Sequence, residues 1–329
     1  DELNASFEKS FTIVVTDDDD ALDAMSHGLV AWYPLDGNGT DHSATANHAT
    51  VTGATPTADR HGVEGKALLF GGSGSNHYLE APFNQALSST AISYSVWTKP
   101  TSTTSNHGSP ITFRADGRGF NLYKLPNNTW SHWTGSGGWQ KFHAQAISLN
   151  WTALAFTHDG TTGKAYQNGV LVVSSNKTYL PAQSGSLKIG AGTGGSGPTY
   201  FFKGAIDEVR IWNRVLSSSE ISNLYSMEST PAIPAGTTYR FYSAGAIGRE
   251  GPTQSQIDAN YSGTNLANSV TINTRGIQEW TVPASGLYRI EARGAMGGGT
   301  NGGKGAVLAG EFILNGNEVI KVIVGQMGT

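Results

Sequence analysis

The chain is first defined by what it lacks. None of its 329 residues is cysteine, so no disulfide can staple the fold and no thiolate can bind a metal. Charged residues make up only 14% of the chain, and the formal net charge is −4. A nucleic-acid-binding surface needs a basic footprint, so this composition argues against nucleic acid as a partner. No apolar run approaches the ~20 residues of a membrane span, so we expect no membrane insertion in this segment.

Catalytic patterns are also missing. The glucanase pattern ExDxxE occurs nowhere, and the histidines form no HxxxH pair. The serine run 217–219 lacks the glycines of a nucleophile elbow. Retaining glycosidases need two carboxyls ~5–5.5 Å apart on one face, whereas Asp207 and Glu208, adjacent on a predicted strand, are expected to face opposite sides. We therefore expect that the protein is not an enzyme.

Glycine and short alternating runs are abundant. The chain has 43 glycines, and residues 28–226 contain many short apolar stretches separated by turns. Asn168-Gly169 predicts a two-residue hairpin turn, and Ser217 with Glu220 predicts a capping box that starts one short helix. An all-β fold, a β-sandwich or jelly roll, follows from this pattern. The predicted strands are 28–35, 65–70, 77–82, 91–100, 150–158, 164–175, 186–192 and 202–214.

The first residues predict one further strand. Residues 5–17, ASFEKSFTIVVTD, alternate apolar and polar and end in Thr-Asp. A lone strand is not stable by itself. This segment resembles the last strand of a cadherin-like domain, and the acidic run 17–20 would then belong to a calcium-binding linker. The alternative is a solvated acidic linker. Residues 1–20 are accordingly assigned as a cadherin-like strand with its linker.

The middle of the chain carries a resemblance over about 200 residues. GLVAWYPLDGNGTD, GKALLF, ISYSVWTKP, WTALAFTHDGTTGKAYQNGVLV and FKGAIDEVRIWNRVLSSSEISNLY occur in this order. Together they resemble a laminin G-like domain of the concanavalin A-like lectin/glucanase superfold, and we assign residues 21–230 to it. The resemblance implies a calcium-bearing jelly-roll sandwich that binds glycan or protein outside cells.

The loop YPLDGNGTDHSA is the predicted Ca²⁺ site. Calcium takes six to eight oxygen ligands, which Asp36, Asn38, Asp41 and Ser43 can supply between flexible glycines. The resemblance adds Asp207 as the acid turned toward the ion. The alternative is that Asp36 and Asp41 cap turns through their own backbone amides.

The segment TWSHWTGSGGW is the predicted ligand site. It places Trp130, Trp133 and Trp139 close together, with Arg118 and Tyr123 upstream. Exposed aromatic faces stack on sugar rings, because the C–H faces of a pyranose are apolar, and Trp offers a large area at low entropic cost. Trp130 and Trp133 alternate out of phase, so at least one of them is expected in the core. Trp139 follows Gly137 and Gly138 and is expected to be exposed.

The last region predicts a second β domain. IQEWTV, LYRIEA, VLAGEFIL and EVIKVIV alternate like antiparallel strands. The motifs GAIGREGPTQSQ, GIQEWTVP and VGQMG resemble the glycine-rich extracellular domain of the anaplastic lymphoma kinase and leukocyte tyrosine kinase receptors, which contains a tumour necrosis factor-like sandwich. Ile257 stands where those receptors have a cysteine, and the chain stops where their polyglycine insert begins. Residues 231–329 are therefore expected to be a truncated domain.

The combined interpretation is a module of a large cell-surface protein. We expect calcium-dependent binding of glycan or surface protein, in an extracellular adhesin of the repeats-in-toxin type. Several N-glycosylation sequons without any cysteine favour a bacterial origin. A structural spacer stiffened by calcium is the alternative function, and a glycan-active enzyme is a third.

Overall fold

A computed structural model describes residues 11–15, 25–102, 107–194, 197–229, 236–247, 249–284, 286–294, 305–314 and 316–325. The chain divides into two compact units. Met25–Tyr225 form one, which we call the sandwich unit. Asp1–Ala24 and Ser226–Thr329 form the other, which we call the terminal unit. Each unit has its own hydrophobic core.

The described residues are mostly β-strand. A 3₁₀ helix covers Gln85–Leu87, and two α-helices, α1 and α2, cover Ser218–Ser229 and Gln254–Tyr261. In the ranges given above, no helix has both the length and the apolarity to cross a bilayer. The strands are β1 (Phe11–Val15), β2 (Leu29–Tyr33), β3 (Thr50–Thr52), β4 (Thr55–Thr57), β5 (Ala67–Gly71), β6 (Tyr78–Ala81), β7 (Ile92–Pro100), β8 (Gly108–Ala115), β9 (Arg118–Lys124), β10 (Thr129–Gly135), β11 (Trp139–Ala146), β12 (Thr152–His158), β13 (Thr162–Gln167), β14 (Val170–Asn176), β15 (Leu187–Ile189), β16 (Gly192–Gly194), β17 (Gly197–Thr199), β18 (Lys203–Trp212), β19 (Thr238–Phe241), β20 (Val270–Thr271), β21 (Ile277–Thr281), β22 (Gly286–Arg293), β23 (Val307–Leu314) and β24 (Val319–Ile323).

Two antiparallel sheets form the sandwich unit. The seven-stranded sheet has the order β11-β10-β9-β8-β15-β6-β3, and the eight-stranded sheet has the order β14-β13-β12-β7-β18-β5-β4, with β2 also paired to β18. Their inner faces share one core, in which the rings of Tyr94 and Phe120 stack with centroids 4.8 Å apart. The prediction of an all-β jelly-roll sandwich is confirmed.

Each of the eight segments predicted as strands contains a strand, and the segment 164–175 forms two strands, β13 and β14, joined by the predicted turn. Asn168 and Gly169 have φ values of 50° and 77°, the left-handed conformations that a two-residue hairpin turn between β13 and β14 requires. The capping box of α1 also forms, because Ser217 N–H donates to Glu220 and Glu220 N–H donates to the Ser217 hydroxyl. The strands β3, β4, β8–β11 and β17 had no counterpart among the sequence predictions.

The expectation that Asp207 and Glu208 face opposite sides is wrong. The register of β18 against β7 shifts between Asp207 and Arg210, and Glu208 has a φ of +50°. Such a β-bulge inserts an extra residue and breaks the alternation of side chains. Glu208 therefore lies with Asp207 on the outer side of the eight-stranded sheet, where Arg210 also contacts it.

The terminal unit contains two small sheets. The four-stranded sheet has the order β19-β1-β22-β23, and the three-stranded sheet has the order β20-β21-β24. Trp280 lies at the centre of its core, with the rings of Tyr239, Phe241 and Tyr288 around it. Helix α2 begins with a capping box of Thr253 and Gln256.

Strand β1 corrects the domain assignment of the first residues. It lies between β19 and β22, and Ile13 is fully buried in the core of the terminal unit. The sequence prediction placed this strand in a separate cadherin-like domain, because alternation alone does not identify a strand's pairing partners. The acidic run 17–20 lies outside the described residues. Truncation of 231–329 stays a prediction.

The position of β1 predicts a stability effect confined to one unit. Ile13→Ala should lower the free energy of unfolding of the terminal unit by about 2–4 kcal/mol, because it leaves a cavity in a closed core. Native-state hydrogen exchange separates the units: amides of β22 should exchange faster, whereas amides of β7 should keep their protection. Unchanged protection of β22 would contradict the shared core.

Two histidines lie in the interior of the sandwich unit. His132 is fully buried, and its Nδ1 lies 2.7 Å from the Tyr94 hydroxyl. Burial lowers the pKa of His132 to about 3, and burial is also the largest cause that lowers the pKa of His158 to about 4. Both imidazoles are therefore neutral in the folded protein.

These pKa values predict acid sensitivity. Unfolded histidine titrates near pH 6.5, so below that pH the unfolded chain binds more protons and each buried histidine removes about 1.4 kcal/mol of stability per pH unit. His132→Asn keeps an acceptor for Tyr94 but does not titrate. The free energy of unfolding, measured with denaturant between pH 6.5 and 4.5, should fall less steeply with decreasing pH in the variant than in wild type, by about 1.4 kcal/mol per pH unit. The difference between the two slopes removes the contribution of other titrating groups. Equal slopes would show that His132 does not cause the acid sensitivity.

Candidate functional site

The outward face of the seven-stranded sheet is set by its register. Phe113, Phe120 and Phe142 belong to the core, so the residues that alternate with them face away from it. One lateral row on this outward side runs through Lys141, Trp133, Asn121 and Thr112, each paired with the next across neighbouring strands.

Three aromatic residues meet on this outward side. The rings of Trp133 and Trp139 have centroids 6.5 Å apart, and the ring of Tyr123 meets Trp133 edge-on at 5.3 Å. Trp133 and Trp139 are half-buried, whereas Tyr123 lies deeper. Trp133 Nε1 donates to the Ser131 hydroxyl at 2.9 Å, which fixes the indole orientation.

Two cations lie over the indoles. The Arg114 guanidinium lies 4.7 Å from the centroid of Trp139, and Lys141 Nζ lies 4.6 Å from the centroid of Trp133. Both distances are within the range of cation–π attraction. Arg114 is paired with Gly119 and Trp139 with Gly135, so neither has a side chain directly opposite it in these pairs. We call the surface formed by Arg114, Tyr123, Trp133, Trp139 and Lys141 the aromatic face.

The other two predicted ligand residues do not belong to this face. Trp130 is fully buried in the core, near Phe202, because it alternates with Ser131 on β10. Arg118 begins β9 opposite Ala115 and has no ring or ion-pair contact in the described part of the chain. Trp139 is less exposed than the sequence suggested, since Trp133 and Arg114 cover part of its ring.

A polar group lies under the aromatic face. Asn121 is fully buried between Thr112 and Trp133, and neither its amide nitrogen nor its amide oxygen has a hydrogen-bond partner among the described residues. Buried amides are nearly always paired, with protein, water or ligand. Both atoms lie beneath the surface of the sheet, so they are not accessible to a molecule bound on the aromatic face.

The acidic loop has a different geometry. The Asp41 carboxylate is buried and accepts four hydrogen bonds, from the N–H groups of Trp32, Ser43 and Asn47 and from the Thr45 hydroxyl, all at 2.8–2.9 Å. This is the turn-capping role.

Asp36 and Asn38 lie on the exposed side of the same loop. Asp36 pairs with Lys66 at 2.5 Å, with both side chains largely exposed. Asn38 donates to the Asp36 carbonyl and accepts from Thr40 N–H, which closes a local turn. Among the described residues, neither side chain shares a hydrogen-bond partner with Asp41.

Asp207 belongs to an ion network on the outer side of the eight-stranded sheet. Its carboxylate pairs with Arg60 at 2.6 Å, and Arg210 pairs with Glu208 at 2.9 Å. Arg60 lies over the Trp97 ring, and Arg210 lies over Trp32. Burial, followed by repulsion from Glu208, raises the pKa of Asp207 to about 8, while Arg60 opposes the shift.

The three predicted acidic calcium ligands therefore do not share a partner, and Ser43 contacts Asp41 through its backbone N–H group. Asp36, Asp41 and Asp207 have separate partners, so this arrangement does not fit one ion shared by their oxygens. Across the described ranges, no three His, Asp or Glu side chains are grouped as in a metal site. Calcium dependence stays a prediction.

Sequence reasoning missed Arg114 and Lys141. Arg114 lies twenty-five positions before Trp139 in the numbering, and only the pairing of β8–β11 brings them together. The usable signal was the alternation in TWSHW and WQKF, which puts Trp133, Trp139 and Lys141 on one side once these segments are recognised as paired strands.

A family model and a curated relative each match part of the chain. Residues 73–222 match the family model of the Concanavalin A-like lectin/glucanases superfamily. The leukocyte tyrosine kinase receptor of Mus musculus is 38% identical over 106 residues, which cover 29% of this chain and 12% of the receptor. The chain thus spans only a small part of that relative.

The similar solved structures have low sequence identity and TM-scores below 0.5. Domain 4 of AbnA, a GH43 extracellular arabinanase from Geobacillus stearothermophilus solved in complex with arabinotriose, has a TM-score of 0.48 and 24% identity, covering 60% of this chain and 98% of that chain. The binding domain of Paraclostridial Mosquitocidal Protein 1 has a TM-score of 0.49 and 16% identity, covering 60% and 52%. Similarity at this level gives no information about the ligand.

One melting experiment separates turn capping from calcium binding at Asp41. If Asp41 caps the turn, Asp41→Asn places an amide NH₂ against backbone N–H donors. The free energy of unfolding should then fall by about 1–3 kcal/mol for each N–H group that loses its acceptor. The loss should be the same in chelator and in millimolar calcium. An ion site would instead make the wild-type Tm fall by several degrees on chelation, and Asp41→Asn would abolish that response.

Proposed function

We propose that the sandwich unit is a binding module that recognises glycan on its aromatic face. The observation that carries this proposal is the grouping of Trp133 and Trp139, both half-exposed, on one outward sheet face. The apolar C–H face of a sugar ring stacks on such indoles, and each indole offers area at low entropic cost. The match of residues 73–222 to a superfamily that includes lectins supports this proposal.

Rigid support favours binding at this face. Trp133 is held by its hydrogen bond to Ser131 and by the edge of Tyr123, so little side-chain entropy remains to be lost on binding. Trp139 follows the turn at Gly137, whose φ of +82° is a left-handed conformation. The turn reverses the chain, so that β11 pairs with β10 and Trp139, its first residue, lies next to Trp133.

The proposed setting is adhesion outside cells. A single shallow aromatic site binds sugar weakly, and linked copies at a surface would raise avidity 10²–10⁴-fold. The calcium-stiffened spacer is the competing function, and it requires no ligand at the aromatic face. Retention on a glycan surface therefore distinguishes the two.

Removal of one indole tests the proposal. Trp139→Ala should weaken retention on a glycan-coated surface about fivefold or more, since stacking contributes about 1 kcal/mol. Its Tm should stay within a few degrees of wild type, because the ring is only half-buried. Glycan arrays and surface retention assays measure the first, and thermal melting measures the second.

Two further variants calibrate the result. Leu171→Ala removes an exposed side chain on β14 of the other sheet and should leave both readouts unchanged. Trp97→Ala removes a buried indole and should melt much earlier. If Trp139→Ala is retained like wild type on every glycan, the proposed site is wrong. If it melts as early as Trp97→Ala, the ring is part of the core.

A further inference from the structure

The cations of the aromatic face have no acidic partner. Arg114 and Lys141 contact indoles, and in the described part of the chain no carboxylate lies within ion-pair distance, 4.0 Å, of either. Asp116, in the turn that follows β8, makes no such pair with Arg114. Both charges are therefore available to a ligand.

The acid on the same side of the sheet is already neutralised. Glu80 on β6 faces outward in register with Lys188 and pairs with it at 3.1 Å. The Ser186 hydroxyl also donates to Glu80. The aromatic face thus keeps two uncompensated positive charges on a chain whose formal net charge is −4. A local charge opposite in sign to the whole chain attracts anions selectively to this surface.

The cations also cover ring surface that a sugar would need. A neutral sugar that stacks on Trp139 or Trp133 must displace a cation, at a cost of about two- to fivefold in affinity for each exposed cation–π contact. An anionic sugar also displaces the cation from the ring, but the displaced cation then forms an ion pair with the acidic group of the sugar. Arginine can make that pair with two parallel hydrogen bonds to a carboxylate or sulfate.

We propose that the aromatic face selects glycans that carry carboxylate or sulfate groups, with Arg114 and Lys141 as the anion-binding residues. The inference rests on the proposed glycan-binding function and specifies its ligand class.

Three polymers test this selectivity on the whole chain. Polygalacturonate carries carboxylates, dextran sulfate carries sulfates, and dextran is neutral. At least one anionic polymer should bind about tenfold or more tightly than dextran, and its affinity should fall as salt rises from 50 to 500 mM because screening weakens ion pairs. Preference for one anionic polymer identifies the group. Equal binding of all three overturns the inference.

A double variant assigns the effect to the two cations. Arg114→Gln with Lys141→Gln should lower affinity for the preferred anionic polymer about tenfold and remove most of its salt dependence. Affinity for dextran should stay the same or rise, since the indole faces are freed. The charge-matched control is Lys99→Gln with Lys164→Gln, on β7 and β13 of the other sheet, which should bind like wild type.

The outcomes separate this inference from the proposed function. If the double variant binds the anionic polymers as tightly as wild type, or if the charge-matched control loses as much, the anion-binding assignment is wrong. Loss of binding in Trp139→Ala would still support glycan recognition in that case. If no polymer binds and the array is also negative, both proposals fail together.

Discussion

The alternation of side chains along β8–β11 is the constraint on which the aromatic face depends. The core of the sandwich takes Phe113, Phe120 and Phe142, so the residues between them must face outward. A shift of one residue in any of these strands would exchange core and surface, and would bury Lys141 where Phe142 now packs. The energetic requirement for a closed core therefore also places the two indoles and the two cations on one side. No structural feature besides core packing is needed to place these four side chains on one side of the sheet.

The outer faces of the two sheets are used differently. Helix α1 covers part of the eight-stranded sheet, where Ile221 and Leu224 pack with Trp212. The paired charges of Arg60 and Asp207 close another part, and their side chains are almost inaccessible. No comparable helix lies on the seven-stranded sheet in the described part of the sandwich unit. Apolar packing and ion pairing thus close one outer face, and aromatic side chains remain half-exposed on the other.

Sequence patterns predicted the features that depend on neighbours in the chain. Eight strand-forming segments of the sandwich, the hairpin at Asn168 and the start of α1 follow from local periodicity and turn chemistry, whereas β8–β11 were not predicted. Pairing between distant segments was not predictable in the same way. Alternation predicted that β1 is a strand but did not identify the strands that pair with it. The bulge at Glu208 places this side chain on the side of the sheet opposite to the expected one. The loop at Asp41 shows a further limit, since calcium ligands and turn caps use the same residue types. Only the four hydrogen bonds to its carboxylate identify the cap.

The position of the cations over the indoles has a consequence for how selectivity is achieved. A ring without a cation would stack on neutral and charged sugars alike, because every pyranose has an apolar face. Arg114 over Trp139 makes the neutral complex less favourable by the strength of the contact that it breaks. The same guanidinium gains a stronger, charge-assisted hydrogen bond when the ligand is anionic. Discrimination then comes from two contributions: the cation–π contact that any stacked sugar breaks, and the charge-assisted hydrogen bond that only an anionic sugar gains. Selective interfaces generally combine an unfavourable contribution for the competitor with a favourable one for the ligand. Because Lys141 repeats this arrangement over Trp133, the two terms act at neighbouring rings and favour a ligand with more than one acidic sugar.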